Sequence, residues 1–337
     1  MEHILRYEDE QLYYAWKPHG IPSTWGDQYS FLSHLQDSKP PFFAILEKEF
    51  WAEKEYWLVN RLDNDTAWLL YFAKNDTAYQ HYRALQSQHQ LYKIYMCDVQ
   101  GRVDIERSVQ KYETIAHDTA VYQIENKDNQ HQGDSGNTLQ YENNNHKNLE
   151  DKDIKWNTFI PLLSLWQFSF AKQNNAIQKD WWYHFSILSH ITQWNIWIWM
   201  SAGDQDFFTR LQNISELQQS QEQFFPAIKV AYPIMHNAYD KTRMIAVAHK
   251  KDLHKWREKM HMVSTFFIPI AYDENNNTTL CYAILHQWIR HQIRIHAAKL
   301  WYPLVGDVLY NPKSVKNEIL HLWSIWLSAS CNFVDDV

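Results

Sequence analysis

Glycine is scarce in this chain: seven in 337 residues, at positions 20, 26, 101, 133, 136, 203 and 306, beside 17 tryptophans. That is about 2% of the chain, against an ordinary usage of roughly 7%. Phosphate-cradling loops need several glycines close together, and neither G-x-G-x-x-G nor G-x-x-x-x-G-K-[ST] can be written anywhere. Nucleotide enzymes built on those loops are therefore excluded by the sequence as written. With 45% hydrophobic and 21% charged residues the chain is globular, long enough for a sizeable core in one large domain or two.

Cys97, Cys281 and Cys331 are odd in number and far apart, which gives neither a disulfide framework nor a C-x-x-C knuckle. The first residues are acidic where a secretory leader needs basic ones, and the longest apolar runs, 159–170 and 187–200, are interrupted by polar residues. A soluble cytoplasmic protein with no membrane association is expected, and a monomer. The net charge of −7 hides an asymmetry: residues 228–318 hold 13 Lys+Arg against 7 Asp+Glu, a local +6. Such a face suits a phosphate-bearing partner, and distant acidic surface is screened within about 8–10 Å.

Apolar patterning predicts a strand over Tyr7–Ala15, a loop at Lys17–Ser23, a helix over Ala78–Gln88 and a strand over Leu91–Val99. Further strands are expected at Ile228–Ile234, Arg243–Ala248, Val263–Tyr272 and Thr278–His286, with a turn at Asp273–Asn277. The basic stretch His249–Met260 reads as helix or loop, and the segment around Leu320–Trp323 as a terminal strand or helix. Residues 124–155, rich in Asn, Asp, Gln and Glu, read as a disordered acidic loop.

Between the apolar segments on either side lies the polar island N-R-L-D-N-D-T, Asn60–Thr66. A carboxylate in so apolar a setting needs a cation or hydrogen-bond donors, so Asp63 is either poised by Arg61 or a distant arginine, or simply part of a loop ion pair. His286, His291 and His296 recur every five residues, which does not fit a metal-binding helix face, and Asp63-Asn64-Asp65 lacks the glycine and later glutamate of a calcium loop. No metal is expected.

K-P-H-G (17–20), R-L-D-N-D-T (61–66), K-I-Y (93–95), H-Q-I-R-I-H (291–296), P-L-V-G-D (303–307) and L-H (320–321) occur in this order. Their order and spacing resemble RNA pseudouridine synthases of the RluA type. The resemblance implies an α+β fold, a mixed and mainly antiparallel twisted sheet with helices around it and a central catalytic cleft. It divides the chain into a first part of the catalytic domain (1–101), an insertion (102–227) and a second part (228–337). By this likeness Asp63 is the catalytic aspartate, Tyr95 the tyrosine under the target uracil, and Arg294 the arginine that pairs with Asp63 and helps hold the flipped nucleotide. Lys17, Arg61, Thr66, His291 and Gln292 match positions that shape the substrate cleft. The implied partner is rRNA or tRNA, and isomerising uridine to pseudouridine requires no cofactor. A catalytically inactive RNA-binding relative is the alternative.

Several positions depart from the family pattern. Asn60 stands where a histidine is usual, and Trp68, Trp288 and Trp301 stand where the family has glycine or another small residue. A large indole at a tight turn is expected to strain the backbone. Some genetic codes read UGA as glycine and others as tryptophan, and Gly plus Trp is 7 + 17 = 24 residues, close to an ordinary glycine share. The excess of tryptophan is therefore expected to be misread glycine.

Overall fold

The computed structural model describes residues 11–24, 29–38, 58–104, 224–237, 239–247, 260–315 and 318–328, with shorter stretches at 6–8, 43, 108, 123–124, 154–155, 163–169 and 333–335. In chain order the elements are β1 (Arg6–Glu8), β2 (Leu12–Lys17), α1 (Phe31–Ser38), β3 (Ala67–Ala73), α2 (Asp76–Ser87), β4 (Tyr92–Gln100), β5 (Gln123–Ile124), β6 (Ile154–Lys155) and β7 (Leu163–Ser169). They continue as β8 (Phe224–Val230), β9 (Ile234–His236), β10 (Met244–Ala246), β11 (Thr265–Asp273), β12 (Thr278–Leu285), α3 (Gln292–Lys299), β13 (Leu322–Ser328) and β14 (Phe333–Asp335).

Ten strands form one sheet in the order β1-β2-β3-β13-β4-β12-β11-β8-β7-β14. Every neighbouring pair is antiparallel except β3 and β13, which run parallel, so the sheet is mixed and mainly antiparallel as expected. Its middle strands read as apolar runs because both faces are covered: β3 and β12 are buried along their whole length. The anticipated strand over Tyr7–Ala15 is two strands, β1 folding back on β2 with Tyr7 opposite Tyr14. By contrast, α2 begins where its cap dictates, Asn75 accepting the Ala78 N–H through its side chain at 2.9 Å.

Residues 163–169, inside the segment 102–227, supply β7 and pair with β8 along seven residues. That part of the segment is thus built into the main sheet. The acidic stretch 124–155 and the basic stretch 249–260 lie almost entirely outside the described residues.

Asn60, in the position where histidine is usual, accepts the Tyr71 N–H through Oδ1 at 3.2 Å, just beside the Val59 N–H to Tyr71 carbonyl bond. Its Nδ2, buried alongside, finds no partner among the described residues, so the departure costs part of the local hydrogen bonding. Trp68 and Trp301 have φ of 81° and 68°, the left-handed range also occupied by Gly20 (76°), Gly101 (89°) and Gly306 (73°). A bulky side chain rarely takes such a φ. Trp288 does not share this strain; it is not among the positive-φ residues and its indole lies under the Lys93 ammonium, 3.6 Å from Nζ to the ring centre.

Candidate active site

Strand β4 carries the first half of the site on one face. Side chains two apart share a face, so Lys93 and Tyr95 point together into a cavity of about 1170 Å³. Directly opposite Tyr95 stand Ala283 on β12 and Ser324 on β13, both small. Tyr95 is 7% exposed, and burial, then the charge of Asp63, raises its hydroxyl well above the ordinary range, so it stays protonated.

The Asn60–Thr66 island forms the second wall. A turn closes it, the Thr66 N–H donating to the Asp63 carbonyl at 3.1 Å. The 17–23 loop grips this turn from behind at three points. Ser23 Oγ donates to the Leu62 carbonyl at 2.8 Å and accepts the Leu62 N–H at 2.9 Å; Lys17 Nζ donates to the Asn64 carbonyl at 2.9 Å; His19 Nδ1 hydrogen-bonds the Asp65 carbonyl at 2.6 Å. Asp63 is thereby fixed through the backbone on both sides.

Lys17 is wholly buried, donates a second bond to the Pro18 carbonyl, and is not among the cavity-lining residues. It stands behind the turn, where it supports the backbone that carries Asp63. Burial pulls its pKa down to about 7 against the opposing charges of Asp65 and Asp63. Lys93 is likewise brought to about 7 by burial, with Asp63 opposing and Arg61 assisting.

Helix α3 brings the third wall. Its N-cap residue His291 has φ 58°, a left-handed conformation that costs a non-glycine residue roughly 1–2 kcal/mol. Strain of this kind collects at functional sites. Here the His291 backbone N–H is among the groups that favour the ionised Asp63 carboxylate. The carboxyl, with 25% of its side chain exposed, is pushed above the usual aspartate range by desolvation, opposed by the charges of Arg294 and Arg290 and by that N–H. Burial, then Arg294 and Arg290, brings the His291 ring down to about 3. It is therefore neutral, and its approach to Asp63, 4.0 Å from Nε2 to Oδ2, is no ion pair.

The expected pairing of Arg294 with Asp63 is not formed among the described residues. Arg294 Nε and Nη2 instead hold both oxygens of Asp307, at 3.0 and 2.7 Å. The reason is burial: Asp307 has no exposed surface and needs a cation more than the partly hydrated Asp63 does. Arg294 Nη1 faces Asp65 at 3.9 Å, and its charge still acts on Asp63 through the field. Gln292 lines the cavity but spends its amide inside the protein, accepting the Ile289 N–H and donating to the Ser264 carbonyl and Thr265 Oγ1. Arg61, Thr66 and His291 line the same cavity.

Sequence reasoning missed Asp307 and Tyr310. Asp307 accepts, besides the two Arg294 bonds, the backbone N–H groups of Leu309 and Tyr310. Tyr310 Oη accepts the Met244 N–H and hydrogen-bonds His291 Nδ1, each at 2.8 Å. The available signal was one carboxylate inside the apolar run Y-P-L-V-G-D-V-L-Y, which must find a partner when buried.

Asp63, Tyr95 and Arg294, drawn from three distant segments, thus line one cavity with no group of three or more metal-ligating residues among the described residues. A family model described as RNA pseudouridylate synthase matches residues 11–187, more than half of the chain. The chain belongs to the RNA pseudouridylate synthase family. This RNA pseudouridylate synthase is accordingly an isomerase with an RNA substrate.

Two solved human structures are similar in outline. RNA pseudouridylate synthase domain containing 1 shares 10% identity at a TM-score of 0.47, over 100% of this chain and 84% of that one. RNA pseudouridylate synthase domain containing 4 shares 11% at 0.40, over 99% and 87%. No curated protein matches the chain. No helix among the described residues is long and apolar enough to cross a membrane.

Proposed function

We propose that the protein is an RluA-type synthase that converts uridine to pseudouridine in structured rRNA or tRNA, with Asp63 as the reacting carboxylate. One observation carries the reading: the Asp63 turn, the Tyr95 strand and the Arg294 helix, far apart in sequence, share one cavity large enough for a nucleotide. A uridine stacked in a helix is unreachable, so the target base must be flipped into that cavity from a loop or a distorted stem.

The reaction breaks the N1–C1′ bond, turns the uracil and joins C5 to C1′, after which the proton on C5 must leave. Asp63 opens it as a carboxylate, either by attack on the sugar or base or as a base at the ribose. Arg294 and Arg290 favour its ionised form through their charge, and the His291 N–H through a hydrogen bond. Tyr95, protonated and lining the cavity, stacks under the uracil with its hydroxyl near C5. Arg61 and Thr66 border the nucleotide, while Lys17 and Gln292 hold the walls.

Deleting the gene and mapping pseudouridines across cellular RNA tests the reading. One or more sites in rRNA or tRNA should disappear and return with the wild-type gene but not with Asp63→Asn. An unchanged map contradicts it.

A further inference from the structure

Lys93 is a buried cation without an anion. It is 2% exposed and lines the cavity. Its ladder neighbours are both apolar, Leu285 on β12 and Leu327 on β13. Among the described residues its ammonium makes no hydrogen bond or ion pair, and what it touches is the Trp288 ring, 3.6 Å from Nζ to the ring centre. A ring face attracts a cation only weakly, and glycine at 288 would remove even that contact.

Burying a charge is costly unless it is paired. The other buried lysine and arginine among the described residues obey this rule, Arg294 through Asp307 and Lys17 through the Pro18 and Asn64 carbonyls. Lys93 feels opposite charge only through space: burial brings its pKa to about 7, with Asp63 opposing and Arg61 assisting. A group kept in the cavity at a cost to folding is one that an incoming ligand completes.

The fold indicates which part of the ligand that is. Lys93 and Tyr95 are two residues apart on one face of β4, about 7 Å along the strand. Both are buried, so what meets them is the inserted base, while the phosphates stay at the open mouth. When N1–C1′ breaks, its electron pair stays on the uracil, spread over N1, O2 and O4; attack on C6 likewise puts charge on O4. Turning the uracil about its N3–C6 axis exchanges N1 with C5 and O2 with O4. One fixed ammonium therefore faces a carbonyl oxygen before and after the turn, a task that suits a point charge on a flexible stem.

We propose that Lys93 is a catalytic residue whose ammonium hydrogen-bonds a carbonyl oxygen of the flipped uracil and stabilises the negative charge that the base carries while detached from the ribose. The charge is discharged when C5 bonds to C1′; the C5 proton leaves to water and N1 takes one up, so no co-reactant is needed. The assignment rests on the synthase reading and deepens it.

The test measures kcat, KM and Tm for wild type, Lys93→Met and Lys93→Arg on unmodified rRNA and tRNA transcripts across a pH series. Lys93→Met keeps the stem and removes the charge. Because the uracil becomes negative only on the way to the transition state, kcat should fall roughly 10²–10³-fold with KM near wild type. Lys93→Arg, which keeps a cation, should recover part of that loss. The Tm of Lys93→Met should equal or exceed that of wild type, since an unpaired buried charge is removed. Lys93 acts protonated, so wild-type kcat/KM should fall as pH rises through about 7, and Lys93→Arg should lack that fall.

Wild-type kcat in Lys93→Met overturns the assignment and leaves the synthase reading standing. So does a lower kcat that comes with a lower Tm and is not relieved in Lys93→Arg, the mark of a packing role. An acid limb moved to higher pH as the only change in Lys93→Met makes Lys93 act through Asp63, which also overturns it. Should Lys93→Met not fold, the same alkaline limb in wild type and Lys93→Arg overturns it. No product from wild type on any transcript sinks the synthase reading and this assignment together.

Discussion

Arg294 and Asp307 form a buried ion pair with two parallel hydrogen bonds, 3.0 and 2.7 Å, and the pair has at most 2% of its surface exposed. The guanidinium is therefore held rigidly by one carboxylate while its remaining nitrogen faces the turn that carries Asp63 and Asp65. Its hold on Asp307, and the loss of either partner, should be felt through the whole site.

Asp307→Asn keeps the shape of the side chain but leaves Arg294 as an uncompensated buried charge. Removing one partner of such a pair costs about 3–5 kcal/mol. Urea unfolding should show that loss as a lower midpoint at constant slope. A loss below about 1 kcal/mol would mean that Arg294 finds another anchor.

The buried His296 ring sets an acid limit on stability. Its Nε2 hydrogen-bonds the Tyr232 carbonyl and its Nδ1 the Thr265 hydroxyl, and burial lowers its pKa from 6.5 to about 4. Between those values the unfolded chain binds a proton that the folded one does not, so stability falls as pH drops from 6.5 to about 4. The effect is on the order of 3 kcal/mol. In His296→Gln, the urea midpoint should depend less steeply on pH over this window; an unchanged slope would assign the acid sensitivity elsewhere.

Catalysis should fail on the acid side earlier than an ordinary aspartate would predict. Desolvation raises the Asp63 pKa above 3.8, so its carboxylate is lost as pH falls through that higher value. Arg290 opposes the rise, hence Arg290→Gln should move the acid limb of kcat to still higher pH. A pH–rate profile at saturating RNA checks it, and an unmoved limb would mean that another group controls the rate.

At positions 68 and 301 the backbone is already that of glycine. Trp301 is 38% exposed, so Trp301→Gly removes a left-handed penalty of roughly 1–2 kcal/mol while giving up only part of an indole's packing, and should cost less stability than the same change at position 68. Trp68 is fully buried and packs on Trp16 and Trp323, with ring centres 4.7 and 6.0 Å away. Emptying that space costs roughly 3–5 kcal/mol, which outweighs the relief, so Trp68→Gly alone should destabilise. The gene discriminates further: UGA codons at 68 and 301, with glycine there in the natural protein by peptide mass spectrometry, are expected. UGG codons would contradict the misreading.

Much of this was legible locally. The apolar run Leu91–Val99 and the Asp273–Asn277 turn each announce their element, because pleat and turns are short-range physics, whereas the helix expected from Ala78 starts at Asp76, behind an Asn75 cap the apolar pattern does not show. The order of R-L-D-N-D-T, K-I-Y and H-Q-I-R-I-H located the cavity walls. What the sequence hides is competition at long range. Three carboxylates, at 63, 65 and 307, compete for Arg294, and burial rather than spacing decides that Asp307 wins. Nor does any local pattern reveal that β13, near the C-terminus, slips between β3 and β4 and so carries Ser324 beside Tyr95.

Asp63, rather than its neighbour Asp65, is the proposed reacting carboxylate. That assignment is tested most directly by measuring pseudouridine formed on unmodified rRNA and tRNA transcripts by wild type, Asp63→Asn and Asp65→Asn, with folding checked by circular dichroism. Product is expected from wild type, a reduced but measurable rate from Asp65→Asn, and none from folded Asp63→Asn. Wild-type yield from Asp63→Asn would contradict it.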